Sequence, residues 1–112
     1  MTKTESIKFL VDFFKEVNCS FRLRLTNGTQ TSRWDTLFIQ PAENYVEFGQ
    51  TGPVRISELE WIEINPIEQV HLGSRIPDKL LDHTERIKTC LNEYAIPYTQ
   101  LDKTIRVLLG ES

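Results

Sequence analysis

The sequence contains few of the residues that commonly build catalytic and metal sites. Its 112 residues include two cysteines and two histidines, and neither Cys19 nor Cys90 has the spacing of a CxxC redox motif or a zinc site. HExxH and the lysine-containing phosphate loop are also missing, which argues against the enzyme classes that those motifs define. We therefore predict no catalytic residue, no metal and no cofactor, and we interpret both cysteines as reduced structural thiols.

Long apolar runs and blocks of like charge are also missing. The N-terminal segment is amphipathic, with Lys8, Asp12, Lys15 and Glu16 among its apolar residues, so it resembles neither a signal sequence nor a membrane span. The net charge is −3, without the basic excess that nonspecific nucleic-acid binding requires. We expect a cytoplasmic protein with no membrane partner, and we do not favour nucleic acid as its partner.

The chain does contain an ordinary globular balance of residues. Hydrophobic residues make up 39% and charged residues 26%, and 112 residues are enough for one domain with its own core. We predict a single domain, 1–112. Its first part, 1–66, holds a helix and a barrel-like unit, and its second part, 67–112, holds a connection, a helix and a hairpin packed on that unit.

Apolar residues at helical spacing predict a first helix at residues 3–17. Phe9 lies outside the apolar stripe of this helix. Either another element covers Phe9 or the ring is left for a partner, and the sequence leaves both alternatives open.

From residue 20 the apolar period changes to two, which predicts strands. The first strand runs into Asn27-Gly28, a dipeptide typical of hairpin turns. The five predicted strands cover residues 20–26, 32–40, 45–48, 54–56 and 60–64. Five short strands after one helix favour an α+β fold with a five-stranded antiparallel small barrel or a strongly bent sheet.

The second part of the chain predicts a short extended piece at 69–72 and then a second helix. This helix is expected to start at Pro77-Asp78 and to end before Pro97, with Leu80 in its apolar stripe and an ion pair between Asp82 and Arg86. Residues 98–101 and 104–109 predict a final hairpin.

The stretch Phe21-Arg-Leu-Arg-Leu-Thr-Asn-Gly28 behind an N-terminal helix resembles the layout of Sm-like and SH3-like small β-barrel proteins. Residues 1–65 carry the resemblance, which extends to the bacterial Sm-like RNA chaperone and the bacterial Rho-binding antitermination regulator. It implies RNA binding for the first relative and protein–protein contact for the second. The RNA-binding signature is replaced here by the acidic Ser57-Glu-Leu-Glu-Trp-Ile-Glu63, so no functional residue is carried over.

Arginines form the most informative pattern. Arg22 and Arg24 alternate onto one face of the first strand, and Arg33 and Trp34 follow across the predicted hairpin. Arginine beside an aromatic residue indicates recognition of RNA or another anionic partner. The alternative is a solvated strand face paired with cross-strand carboxylates. The carboxylates considered for that pairing are Asp35, Glu47 and Glu63.

Trp61 is a further candidate. If Ile62 and Ile64 face the core, Trp61 faces outward, where tryptophan is typical of binding hot spots. Cover by the second helix is the alternative. The candidate binding surface therefore comprises Arg22, Arg24, Arg33, Trp34, Phe9 and Trp61.

Catalysis is not supported by spacing. His83 and Cys90 are separated by two turns of the predicted helix, about 10 Å, which is too far for direct proton transfer. Our leading hypothesis is a non-enzymatic regulatory or adaptor protein that acts through protein–protein contacts, with a second copy of itself as one candidate partner. One alternative is an Sm-like RNA-binding protein that uses Arg22, Arg24 and Arg33. The other is a small enzyme or accessory subunit with a perturbed histidine or cysteine.

Overall fold

The computed structural model describes residues 3–26, 31–36, 38–42, 44–49 and 52–109. Within these ranges the chain is α+β, with two helices and nine strands. A short 3-10 helix at Ile56–Glu58 separates β4 from β5. The elements in chain order are α1 (Lys3–Glu16), β1 (Ser20–Leu25), β2 (Phe38–Ala42), β3 (Tyr45–Phe48), β4 (Gly52–Arg55), β5 (Leu59–Asn65), β6 (Ile67–Val70), β7 (Lys79–Asp82), α2 (Thr84–Glu93), β8 (Tyr98–Gln100) and β9 (Ile105–Leu108).

The strands pair antiparallel in three sheets. A four-stranded sheet has the order β1-β5-β9-β8, a three-stranded sheet the order β2-β3-β4, and β6 pairs with β7 alone. The described pairings leave these sheets open, so the five-stranded closed barrel is not seen in the described part of the chain. β5 takes β9 as its second neighbour, and the final hairpin therefore extends the main sheet instead of only packing on it.

One face of the four-stranded sheet lies in the core. Alternate residues of β1, β5 and β9 point toward a single apolar cluster that also contains Ile7 and Leu10 of α1 and Ile87 and Leu91 of α2. The two parts of the chain thus share one core. The sheet residues in this cluster are Phe21, Leu23, Ile62, Ile64, Ile105 and Val107.

Several strand boundaries differ from those predicted. β2 begins at Phe38 rather than at residue 32, because residues 31–36 bridge back to β1: Phe21 and Asp35 exchange two backbone hydrogen bonds of 2.9 Å. Ile56 belongs to the 3-10 helix, not to β4. The Asn27-Gly28 turn lies outside the described residues. The strand at 45–48 and the final hairpin are observed as predicted.

The predicted start of the second helix is wrong. Residues 79–82 form β7, which pairs with β6, and α2 begins only at Thr84. The carboxylate of Asp82 accepts a hydrogen bond of 2.9 Å from the Thr84 backbone N–H, so it caps α2 from outside the helix. Leu80 is consequently a strand residue that is 66% exposed.

The predicted ion pair between Asp82 and Arg86 is replaced by a different one. Arg86 Nη2 lies 3.3 Å from Glu16 Oε2 and so joins α2 to the end of α1. Among the described helices, none is long and apolar enough to cross a membrane.

Candidate binding surface

Arg22, Glu63 and Arg106 form one register row across the four-stranded sheet. Arg22 is paired with Glu63 between β1 and β5, and Glu63 with Arg106 between β5 and β9. All three alternate with core residues, so their side chains leave the sheet on the face away from the core. Glu63 is nevertheless only 1% exposed, because its neighbours in the row cover it.

Two guanidinium groups hold the buried Glu63 carboxylate. Nε and Nη2 of Arg22 lie 2.7 and 2.6 Å from Oε2, and Nη2 of Arg106 lies 3.0 Å from Oε1. Both carboxylate oxygens are therefore bound by charged donors, which is what burial of a charge requires. Two positive charges share one negative charge, so the group retains a net charge of +1.

Each of these arginines also stacks on an indole ring. The guanidinium carbon of Arg22 lies 4.8 Å from the centre of the Trp34 ring, and that of Arg106 lies 4.1 Å from the centre of the Trp61 ring. A guanidinium can donate hydrogen bonds at its edge while its flat face contacts an aromatic ring. We refer to Trp34, Arg22, Glu63, Arg106 and Trp61 as the arginine–tryptophan row.

The two tryptophans of the row differ in exposure. Trp34 is 39% exposed, whereas Trp61 is only 7% exposed although it lies outside the core cluster. The cross-strand neighbours of Trp61 are Arg24 and Leu108. Trp61 thus lies on the outer face of the sheet, as the alternation predicts. Its ring packs against Arg106 and is not available for contact with a partner.

The other two arginines of the candidate surface lie beside the row. Arg24 Nε is buried and lies 3.4 Å from Glu60 Oε2, which is within ion-pair distance but outside hydrogen-bond geometry. Arg33 is exposed next to Trp34. Arg22 is therefore paired with a cross-strand carboxylate, Glu63, as in the alternative of a charge-paired strand face. Arg24 is paired with Glu60.

Phe9 is remote from the row and is covered by another element. Its ring centre lies 4.6 Å from that of Tyr94, the residue that follows α2, and 6.2 Å from that of Phe13. Phe9 is partly buried and packs against the core cluster. Of the two alternatives for this residue, the structure shows cover by the second helical segment.

The thiols and imidazoles occupy a different part of the molecule. Burial, reinforced by the negative charge of Glu68, raises the pKa of the Cys19 thiol to about 11, although Arg86 acts in the opposite direction. At neutral pH this thiol is protonated and therefore a poor nucleophile. His83 Nε2 lies 3.0 Å from Glu68 Oε1, and His71 Nδ1 lies 2.9 Å from Asp78 Oδ1.

These side chains do not form a metal centre. In the part of the chain that the structure describes, no group of three or more histidine, cysteine, aspartate or glutamate side chains is arranged to hold a metal ion. Asp78 and Asp82, which are both expected in the second helix, lie instead at β7 and its approach.

A cleft of about 700 Å³ opens where β6 and β7 join the main sheet. Carboxylates dominate its charge, since three acids, Asp82, Glu85 and Asp102, line it together with one lysine, Lys103. Glu85 also lies 3.7 Å from Lys88, which is not a lining residue. We call it the basal cleft. Its lining residues are Asn65, Pro66, Ile67, Asp82, Thr84, Glu85, Gln100, Leu101, Asp102, Lys103, Thr104 and Ile105.

Arg106 is not among the surface residues predicted from the sequence. The available signal was the alternation of Ile105 and Val107 around it in the final strand, which places Arg106 on the outer face. The alternation does not predict that Arg106 lies beside Glu63, because the two residues are more than 40 positions apart in the chain.

Comparison with known proteins gives one match. Residues 2–109 match the model of a protein family described as a family of unknown function, DUF6678. Neither the curated proteins nor the solved structures contain a significant match.

Proposed function

Since this chain belongs to DUF6678, a family of unknown function, we propose from its geometry that it is a non-enzymatic regulatory or adaptor protein acting through protein–protein contacts. The contact surface in this proposal is the arginine–tryptophan row. The observation that carries it is the double clamp on Glu63, in which Arg22 and Arg106 are fixed by one buried carboxylate and by one indole each.

Fixed arginines are suited to protein recognition. An arginine that is already ordered loses little side-chain freedom on binding, and this preorganisation favours affinity. Arginine and tryptophan are also the residue types that most often dominate protein interfaces. The side chains of Arg22 and Arg106 remain about one third exposed, and the contacts with Glu63 use only part of the five donors of each guanidinium.

RNA binding is less well supported by the same surface. Arg22, Arg24, Arg33 and Arg106 are set against Glu60 and Glu63, which leaves a net charge of only +2. Nonspecific nucleic-acid binding draws its affinity from several phosphate contacts. In addition, each indole of the row already has a guanidinium stacked on it, which reduces the surface available for stacking with bases.

Other features of the chain also support this proposal. The order of α1 followed by β1 is consistent with the Sm-like layout, with the protein-binding relative as the better analogue for a charge-compensated surface. Cys19 and Cys90 are separate free thiols, which fits a reducing, cytoplasmic location. The raised pKa of the Cys19 thiol, which keeps it protonated at neutral pH, supports a function that does not use this cysteine as a nucleophile.

The test uses an exposed residue of the row that does not contact Glu63. Trp34→Ala removes an indole without removing a hydrogen bond from the clamp. Tyr45→Ala is the matched control, since Tyr45 is an aromatic residue of similar exposure on β3. Affinity-tagged wild type and both variants are used to capture partners from the native cell, with and without nuclease treatment, and each captured protein is quantified by mass spectrometry.

We expect one or more proteins to be captured equally by the wild type and Tyr45→Ala, and about tenfold less by Trp34→Ala, because a hot-spot residue contributes at least 1.4 kcal/mol or so. Equal capture by Trp34→Ala would show that the row is not the contact surface. Loss of capture from all samples after nuclease treatment would favour the RNA-binding alternative.

A further inference from the structure

The two-stranded sheet exposes an unusual share of apolar surface. We call residues 67–82 the arm. Leu72, Ile76 and Leu80 are 52%, 54% and 66% exposed, and Ile67 at the base of the arm is also exposed. Single exposed apolar residues need no explanation, but several on one element indicate an interaction surface. The arginine–tryptophan row does not explain the exposed apolar side chains of the arm.

The arm is supported by the rest of the chain on one side. On its inner face Glu68 contacts His83, and both side chains are mostly buried. Alternation places Ile67, Gln69 and Leu80 on the opposite, outer face. An isolated two-stranded hairpin is marginally stable in water, so cover on this outer face would stabilise the arm.

Charge is distributed unevenly along the arm. Its tip, between β6 and β7, carries the exposed Arg75 beside Leu72 and Ile76. The one carboxylate of the tip, Asp78, is bound by Gln69 and His71, so Arg75 is the charge that the tip presents. Its base adjoins the basal cleft, where the carboxylates of Asp82, Glu85 and Asp102 outnumber Lys103 by two charges. The tip of the arm is thus complementary in charge to the cleft at its own base.

One molecule cannot use this complementarity, but two can. The tip and the base are separated by β7 and the short connection before it, at most about 23 Å of chain, and the molecule is elongated, with extents of 47 × 30 × 25 Å. If two arms lie antiparallel about a two-fold axis, each tip reaches the base of the other arm. Every contact is then made twice, as in any isologous dimer interface.

We propose that a second copy of this chain docks on the outer face of the arm, antiparallel to it, with the Arg75 tip of each copy in the basal cleft of the other. Leu72, Ile76 and Leu80 then lie between the two arms, and Arg75 faces Asp82, Glu85 and Asp102 of the partner copy. This interface does not use the arginine–tryptophan row. The proposed dimer and the proposed function of the row can therefore be tested, and can fail, independently.

The test measures self-association of the full chain and inverts its charges. Light scattering coupled to size exclusion, at roughly 100 μM, detects dimers with a dissociation constant in the micromolar range. Arg75→Glu places a carboxylate against the acidic cleft of the partner copy, and Glu85→Arg cancels the excess of two negative charges in that cleft. The double variant again gives positions 75 and 85 opposite charges. Lys8→Glu is the matched control, because Lys8 is an exposed cation on α1 and the charge change is the same.

We expect a dimer for the wild type and for Lys8→Glu, at least tenfold weaker association for each single variant, and recovery in the double variant. Leu80→Ser should also weaken the dimer without loss of secondary structure by circular dichroism. A monomeric wild type would overturn the proposal and leave the arm to a different partner. A dimer that Arg75→Glu does not weaken, or that the double variant does not restore, would also overturn it.

Discussion

Arg22 approaches Glu63 with two nitrogens at once: Nε and Nη2 lie 2.7 and 2.6 Å from the same carboxylate oxygen, Oε2. Arg106 takes the other oxygen from the opposite side, at 3.0 Å. This carboxylate is buried on the sheet face that also carries Arg24, Trp61 and Leu108. Its burial makes the face a fixed array of charges rather than a set of independent surface side chains.

Replacement of Glu63 should therefore destabilise the fold more than replacement of a surface glutamate. In Glu63→Gln two guanidinium groups lose their shared counter-charge. Loss of one partner from a buried ion pair commonly costs about 3–5 kcal/mol, and we expect about 2 kcal/mol here because both arginines can rehydrate. The free energy of unfolding from urea titration measures this effect.

Glu60→Gln is the control for this prediction. Glu60 is about half exposed and pairs with Arg24 at the edge of the row, so its replacement should change the free energy of unfolding by less than about 0.5 kcal/mol. Equal effects of the two substitutions would mean that Glu63 contributes no more than a surface charge.

The clamp also shows what the sequence could predict. Period-two alternation placed Arg22 on an outer strand face, and Glu63 was among the carboxylates considered as its partner. The choice among those carboxylates depends on the pairing of β1 with β5, which is a tertiary contact between residues about 40 positions apart. Arg106 was not identified for the same reason, since nothing local brings β9 beside β5.

The arm shows where a local pattern gives the wrong element. Pro77-Asp78 and the apolar spacing from Leu80 onward are typical of a helix start. Pairing of residues 79–82 with Ile67–Val70 overrides this preference, since helix propensity differs between residues by only a few tenths of a kcal/mol. The local pattern therefore predicts Leu80 in a buried helical stripe, although it is an exposed strand residue. For the same reason the sequence does not predict the exposed apolar surface of the arm.

The contact between Phe9 and Tyr94 should couple the two helical segments energetically. Their ring centres are 4.6 Å apart, a distance at which aromatic pairs contribute about 0.5–1.5 kcal/mol beyond burial. A double-mutant cycle with Phe9→Leu and Tyr94→Leu, measured by urea unfolding, should give a coupling energy in this range. The cycle of Phe9→Leu with Tyr45→Leu should give none, because the ring contacts of Phe9 are with Phe13 and Tyr94 and residues without a shared contact act additively.

Gly49→Ala should destabilise the fold more than Gly52→Ala does. Its φ is +38°, in the left-handed region, and a Cβ atom there would overlap the carboxylate of Asp35. Gly52 also has a positive φ, +81°, but a Cβ there meets nothing within 4 Å. Both alanine variants carry about 1–2 kcal/mol of backbone strain, and Gly49→Ala should lose a further 1 kcal/mol or so from the overlap. Equal melting temperatures for the two variants would contradict the close approach of Asp35.

The Cys19 thiol should make the stability of the fold depend on alkaline pH. Its pKa is raised from 9.0 to about 11 by burial and by Glu68, so the folded state holds the thiol proton more tightly than the unfolded state does. The corresponding contribution to stability is fully present below pH 9 and is lost as the pH rises from about 9 to about 11. By linkage the loss amounts to roughly 2–3 kcal/mol.

Lysines and tyrosines also titrate in this range, so the measurement must be a difference between two proteins. Cys19→Ala removes the thiol, and its packing cost does not depend on pH. The free energy of unfolding of the wild type minus that of Cys19→Ala, measured by urea titration at intervals between pH 8 and 11, should therefore be constant at first and then fall. A difference that stays constant to pH 11 would mean that the thiol ionises equally well in the folded protein, and that Cys19 is accessible to the chemistry from which its burial otherwise excludes it.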